Sequence, residues 1–249
     1  CNFIFLMLSC QQRLLKNGQP DIMIIKQNVY TPERSTPVSK YHWTADMNDK
    51  FFTLPQAKQQ CIINAGYRVF AHHPYRKAPT AEIAAEACIS KSLLFHYFRN
   101  KKDFYFFLWK KVEDISLEYM KNCHCYEAED LFDAMYRGMH AKLKIMEVYP
   151  DLGAFVIRSF YEKDPEIAED VQKLYASIRH RNGFSLLKKL DLSKFREGLD
   201  LKMMQREMFL ASEGYLWELT QRREPITPAK LEKDFSELLD FWKSVYYKE

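Results

Sequence analysis

Apolar residues recur with helical spacing along most of this chain. Between Thr53 and His72 the set Ile62, Gly66, Val69 and Phe70 falls on one stripe, which predicts an amphipathic helix opened by Thr53 and Gln56 as a capping box. Residues 80–104, TAEIAAEACISKSLLFHYFRNKKDF, hold three predicted helix starts in quick succession: Thr80, Ser90, and Asn100 with Asp103 three residues on. Each of these side chains is able to accept a hydrogen bond from an orphan backbone N–H. Ile83, Ala87, Ile89, Leu94 and Phe98 are spaced to meet in one small core, with Ala84 small enough for a close crossing of two helices. Lys91, Ser92, Leu93, His96 and Tyr97 are then left facing outward. The pattern is helix, tight turn, helix, with another helix following.

From Lys101 one helix is predicted to run to about Asn122, burying Phe104, Phe107, Leu108, Val112 and Ile115 and carrying the chain away from this unit. Further helices are expected at about 127–148, from Pro150-Asp151 to about 162, from Pro165 to about Leu190 with Asp164 as cap, and at about 200–223 and 227–247. Thr227 and Pro228 open the last, whose stripe is Leu231, Phe235, Leu238, Trp242 and Val245. Helix 200–223 is apolar on two sides, Met204, Met208, Ala211 and Tyr215 on one and Met203, Leu210 and Trp217 on the other. Such a helix must be covered twice, either by its own domain and a second body or by one monomer on both sides. The fold class is all-α, divided at residues 47–111 and 112–249. Residues 1–46 fit neither part: the apolar run Phe3 to Leu8 is too short for a membrane span, and residues 26–50 are polar and aperiodic. They are expected to be a disordered leader ahead of a natural start at Met47.

Charge divides the chain in the same place. Residues 55–111 hold ten Lys/Arg against three Asp/Glu, whereas residues 112–249 hold 21 against 26. A basic block beside an acidic one suggests that the first meets phosphate and the second does not, although two ordinary solvated surfaces would have the same balance. The six cysteines form no secreted framework and read as reduced, cytoplasmic thiols, with Cys61 on the buried face of its helix. Cys123-His124-Cys125 lacks a second ligand pair at metal-binding spacing, so no metal or cofactor is expected. No glycine-rich phosphate loop, HExxH or Ser/His/Asp order is present, and Glu127, Glu129 and Asp130 suit a helix start. An enzyme is not expected.

The run ISKSLLFHYFRNKKDF resembles the recognition helix and the start of the fourth helix of the tetracycline-repressor (TetR) family of transcriptional regulators. QQCIINAGYRVFAHHPYRKAPTAEIAAEA resembles that family's first helix, the loop after it and its second helix. The likeness covers roughly residues 54–111 tightly and the remainder only in architecture. Cys88 stands where the family usually has glycine, which puts a non-glycine residue in a left-handed turn. The resemblance implies an N-terminal three-helix helix-turn-helix DNA-binding domain followed by a larger helical ligand-binding and dimerisation domain. It also implies a cytoplasmic, nucleoid-associated homodimer, a repressor, that binds a near-palindromic operator in double-stranded DNA and answers to a small-molecule effector. The rival readings are a ligand-independent DNA-binding or interaction protein, and an all-α enzyme.

By family position and chemistry, Thr80, Tyr97 and Lys101 are the expected phosphate contacts. Ser90 opens the recognition helix and is expected among its DNA contacts, and Lys91, Ser92, Leu93 and His96 face base edges, Leu93 being suited to a thymine methyl. Tyr97 has a second reading, packing against Phe98 and the first helix; His96 has one as a surface histidine. An effector pocket is expected from Phe132, Met135, Tyr136, Met139, Phe155, Phe160, Tyr175 and Arg179, an apolar set with one cation, with plain core as the alternative. The dimer interface is expected at Met204, Met208, Tyr215, Phe235 and Trp242.

Overall fold

The computed structural model describes residues 49–175, 191, 193–222 and 227–248, and every structural statement below concerns these. The expectations for residues 1–46, for the helix beyond residue 175, for Arg179 and for the Trp217 side chain lie outside them.

Helix α1, Gln56–His72, starts behind Pro55, whose carbonyl accepts the N–H groups of Lys58 (2.8 Å) and Gln59 (3.1 Å). Thr53 is not its cap: the hydroxyl donates to the Lys50 carbonyl at 2.9 Å, next to a 3-10 turn at Asp49–Phe51. Gln59, and not Gln56, reaches back, its amide donating to the carbonyls of Phe52 and Leu54. The proline has taken the capping position, so the predicted box does not form. The same correction applies to α2, Thr80–Glu86, where Pro79 is the cap and Thr80 already lies in the first turn. Both remaining caps of this region form as read. Ser90 Oγ accepts from the Leu93 N–H (3.1 Å) ahead of α3, Lys91–Phe98, and Asn100 Oδ1 accepts from the Asp103 N–H (2.8 Å) ahead of α4, Lys101–Asn122.

Between α2 and α3 the Ile89 N–H donates to the Ala84 carbonyl (2.9 Å) and the Cys88 N–H to the Ala85 carbonyl (3.0 Å), the double bond of a Schellman ending. Cys88 occupies its left-handed position, at φ 50°. Lys58 of α1 donates to the carbonyls of both Ala87 (3.0 Å) and Cys88 (3.1 Å), closing the turn from outside. The exposed Cys88 side chain gains nothing from burial to offset its backbone strain. Cys88→Gly is therefore expected to stabilise the chain by up to about 1 kcal/mol. Thermal melts of the two forms check this, and a fall in the midpoint would contradict it.

After α4 the chain reverses through His124, at φ 54°, and a 3-10 turn at Cys125–Glu127. This turn delays α5 to Leu131–Val148, capped by Asp130 accepting the Asp133 N–H at 3.0 Å. Helix α6 spans Leu152–Phe160, α7 includes residues 168–175, α8 spans Leu201–Arg222 and α9 Pro228–Tyr246, the last capped by Thr227 with proline in its first turn. Asp164 does not cap a helix at Pro165: its carbonyl accepts the N–H groups of Ile167 (3.1 Å) and Ala168 (2.8 Å) and its side chain the Glu166 N–H (3.0 Å), but residues 165–167 are a turn and the helix starts at 168. All regular elements among the described residues are helical, and no helix is long and apolar enough to cross a membrane.

Two cores result. The first joins Phe51, Tyr67, Phe70, Phe98, Phe104 and Trp109 to Phe155 of α6, so packing runs across the 111/112 division without a break. Helices α1 and α4 approach at Gly66, where a Cβ would stand 2.6 Å from Phe104 Cζ and 2.7 Å from Leu108 Cδ1. With Ile62, Ala65, Gly66 and Val69 on that face, Cys61 is turned out and exposed, contrary to expectation. The second core gathers Leu131, Phe132, Met135 and Met139 of α5, Met204 and Met208 of α8, and Leu231, Phe235, Leu239 and Trp242 of α9. Leu239 takes the buried place expected of Leu238, and Val245 is exposed.

Lys142 of α5 has its amine in the interior, and burial lowers its pKa to about 7 against a weaker opposing pull from Cys125. The unfolded chain holds that proton up to about pH 10.4, so from about pH 7 upward the unfolded state binds more protons and stability rises with pH. The thermal midpoint is expected to climb from about pH 7 towards about pH 9 and to climb less in Lys142→Met. Parallel profiles for the two proteins would show that another group carries the pH dependence.

Candidate nucleic-acid interface

Helix α3 is fixed from behind and open in front. Leu94 and Phe98 are fully buried, while Lys91, Ser92 and His96 are exposed and Leu93 is half-buried. The Lys91 ammonium stands 6.0 Å over the Phe95 ring on its own helix, leaving the donor at the surface. Ser90 Oγ already accepts the Leu93 N–H and lies 2.9 Å from Ser92 Oγ, so its role is to shape the helix start.

Tyr97 is a correction. It does not face outward but is buried, its ring edge-on to Phe51 (5.9 Å) and Phe98 (6.2 Å). The cause is Phe51, which sequence reasoning missed: fully buried, it also packs on Phe98 (5.0 Å) and Phe107 (5.1 Å) and covers the side of α3 that helical spacing leaves open. The pair Phe51-Phe52 ahead of Thr53 was the available signal. The packing alternative is the one the geometry supports.

Lys101 sits at the N-terminus of α4 as expected, yet its ammonium is half-buried. It donates to the carbonyls of Ala78 (2.6 Å) and Arg76 (3.4 Å) and lies 5.0 Å above the Tyr75 ring. Burial lowers its pKa, and the nearby Glu166 and Asp164 charges act in the opposite direction. It ties the α1–α2 loop to α4 before it does anything else. Thr80, released from capping, is partly exposed in the first turn of α2. Exposed Arg76 and Lys77 flank it on the loop, which makes a 3-10 turn at Tyr75–Lys77. One outward helix on a rigid core, with cations beside it, suits a groove of duplex DNA bordered by phosphates.

Residues 62–106 match the sequence profile of the bacterial regulatory proteins of the tetR family. The N-terminal unit around these residues, the reading domain, is a tetR-family domain. Among solved structures the chain resembles a TetR family transcriptional regulator from Chloroflexus aurantiacus J-10-FL, at 17% identity and a TM-score of 0.55, over 82% of this chain and 99% of that one. It also resembles SmeT, the repressor of the Stenotrophomonas maltophilia multidrug efflux pump SmeDEF, at 18% identity and a TM-score of 0.51, over 77% and 91%. SmeT in complex with triclosan gives 20% identity and a TM-score of 0.53, over 78% and 93%. At these identities the likeness is one of fold, and it extends the tetR-type architecture through the C-terminal half. No curated protein sequence matches the chain.

The other expected sites fare differently. Of the effector-pocket set, Phe132, Met135 and Met139 are sealed in the second core, whereas Phe155 belongs to the first, against Tyr67 (5.2 Å), Tyr105 (5.2 Å) and Trp109 (5.6 Å). Tyr136 and Phe160 are exposed, and Tyr175 is partly buried, its hydroxyl donating to the Val156 carbonyl. The described members are thus divided between two cores and the surface and do not line one cavity. Helical spacing finds an inward face without telling which core it enters.

Of the interface set, Met204, Met208, Phe235 and Trp242 are buried inside this chain, and Tyr215 bonds to its own Asp234 (2.6 Å). They are corrected to core: α5 and α9 of this chain cover that side of α8. The opposite side is open, with Met203 58% and Leu210 55% exposed and Gly214, in line with them, facing empty space. Glu207 on α8 accepts from Trp242 Nε1 (3.4 Å) and the Tyr246 hydroxyl (2.9 Å), so this open side runs beside Phe241 (59% exposed) and Val245 (38%) of α9.

Proposed function

We propose that this chain is a homodimeric, one-component repressor that reads a near-palindromic operator through α3 and releases it when a small molecule binds the C-terminal half. The observation that carries the reading is the outward α3, with Lys91, Ser92 and His96 exposed on a tetR-type domain whose other side is locked into a core. Lys91, Ser92, Leu93 and His96 read bases; Thr80 and the cations around α2 and α4 meet phosphate. A second copy covers the apolar side made by Met203, Leu210, Phe241 and Val245, since four large hydrophobics on two adjacent helices are costly to leave in water. SmeT, of the same fold, is a repressor and binds triclosan, which supports both repression and a small-molecule effector here.

Selection from random duplexes tests this directly. Enrichment of two inverted half-sites, with centres about one helical turn apart or somewhat more, is the expected result. Protein that enriches no sequence under any salt condition would rule the reading out.

A further inference from the structure

The loop between α1 and α2 is gripped from the C-terminal half. The Tyr75 N–H donates to Glu162 Oε2 at 2.7 Å, and the Tyr75 hydroxyl donates to Glu166 Oε1 at 3.0 Å. Glu162 is itself immobilised, because its Oε1 accepts the N–H groups of Lys163 (2.9 Å) and Asp164 (3.0 Å). Three hydrogen bonds on one carboxylate leave it a single position. Tyr75 is equally fixed: it is buried, stacked against Phe70 (6.3 Å) and edge-on to Tyr105 (5.3 Å).

Other contacts surround the pair. Lys102 donates to the Glu166 carbonyl (2.8 Å) and pairs with Asp170 (3.1 Å), while Arg158 of α6 donates to the Ala71 carbonyl at the end of α1 (2.6 Å). A cleft of about 320 Å³ lies between the two sides, with Arg76 and Lys101 on one wall and Asp164 and Glu166 on the other. The acidic connection between α6 and α7 is thus docked on the basic loop next to the DNA-reading helices.

We propose that Glu162 and Glu166 latch the reading domain to the C-terminal half through Tyr75, and that this contact, separate from α4, sets the angle at which α3 is presented. This rests on the reading of the chain as a two-headed DNA binder. The reading domain is held along α4 and by the apolar packing of α6 against α1; the latch adds a polar attachment at the loop end, off both, and limits the tilt that this packing leaves. Tyr75 suits the task because one of its bonds comes from the backbone, which moves only with the loop itself. In a dimer the angle of each head fixes the spacing between the two recognition helices, so rocking weakens simultaneous engagement and leaves each single contact unchanged. Tyr75, Glu162 and Glu166 are positioning residues, and none of them has to touch DNA.

The test uses the full chain and the half-site sequence obtained by selection, placed once or twice in a duplex, with the single site measured at low salt. Tyr75→Phe combined with Glu162→Ala removes both hydrogen bonds while keeping the ring in the core. It is expected to lose affinity for the two-half-site duplex by about tenfold and to bind the single half-site as the unaltered protein does. Glu166→Gln retains an acceptor for the Tyr75 hydroxyl and should match the unaltered protein on both, whereas Glu166→Ala should follow the double variant in direction. Unchanged binding to both duplexes overturns the latch, as does an equal loss on both, which a merely destabilised protein would give. Failure of the unaltered protein to bind either duplex overturns the DNA reading, and the latch with it.

Discussion

Glutamate at both Met203 and Phe241 is expected to give a folded monomer that no longer holds a two-half-site operator. Both side chains are more than half exposed and lie on the open side of α8 and α9, so charges there remain solvated in the monomer. In a dimer four such charges would be driven into one apolar contact, and desolvating an unpaired carboxylate costs several kcal/mol. The contrast is with Met208 and Trp242, which are buried at 0% and 1% exposure. Truncating Trp242 alone to alanine should cost about 3–5 kcal/mol, a large share of the roughly 5–15 kcal/mol typical of a whole domain, and a charge at Met208 should unfold the chain. Sedimentation and circular dichroism separate the two cases. A Met203→Glu/Phe241→Glu protein that still sediments as a dimer would move the interface elsewhere.

Lys91→Ala and Lys101→Ala are expected to damage DNA binding in different ways. Lys91 is exposed at the first position of α3 and should cost about 1–3 kcal/mol on the operator when removed, with much less effect on random duplex. Lys101 is committed to the Ala78 and Arg76 carbonyls, so its removal should loosen the α1–α2 loop and lower the melting temperature. The phosphate contact proposed for it would be independent of sequence, so operator and random DNA should weaken alike and the salt dependence fall by about one unit per site. Binding isotherms on both duplexes at several salt concentrations check the pair. The same drop in affinity on operator and on random DNA for both variants would mean that α3 does not lie in a groove.

Local chemistry was legible in the sequence where it stayed local. Ser90 and Asn100 cap their helices because the acceptor and the N–H it serves are three residues apart. Thr53 and Thr80 failed for an equally local reason: the prolines at 55 and 79 offer a preset φ and an acceptor carbonyl at the same place, and the helix takes the proline. The outward set Lys91, Ser92 and His96 follows from helical spacing alone. Tyr97 does not, because its cover comes from Phe51, 46 positions upstream by the numbering. The latch was out of reach for the same reason, Tyr75 being 87 and 91 residues from its two acceptors. The two apolar sides of α8 do signal a need for two covers, but period alone cannot assign the sides. Burial does so, giving Met204 and Met208 to the chain's own core and leaving Met203 and Leu210 open.

The unbroken packing from Phe51 through Phe104 to Phe155 bears on how this protein can be cut and recombined. A fragment ending near Lys111 would strip Phe155 from Tyr67, Phe70 and Tyr105, remove Val156 and Ile167 from the same core, and expose rings that are now buried. Grafting the reading domain onto a related regulator at that junction would therefore carry half a core and meet a stranger's α6. A workable chimera has to transplant α6 and the 162–166 segment along with the head, so the exchangeable module is larger than the sequence profile that identifies it.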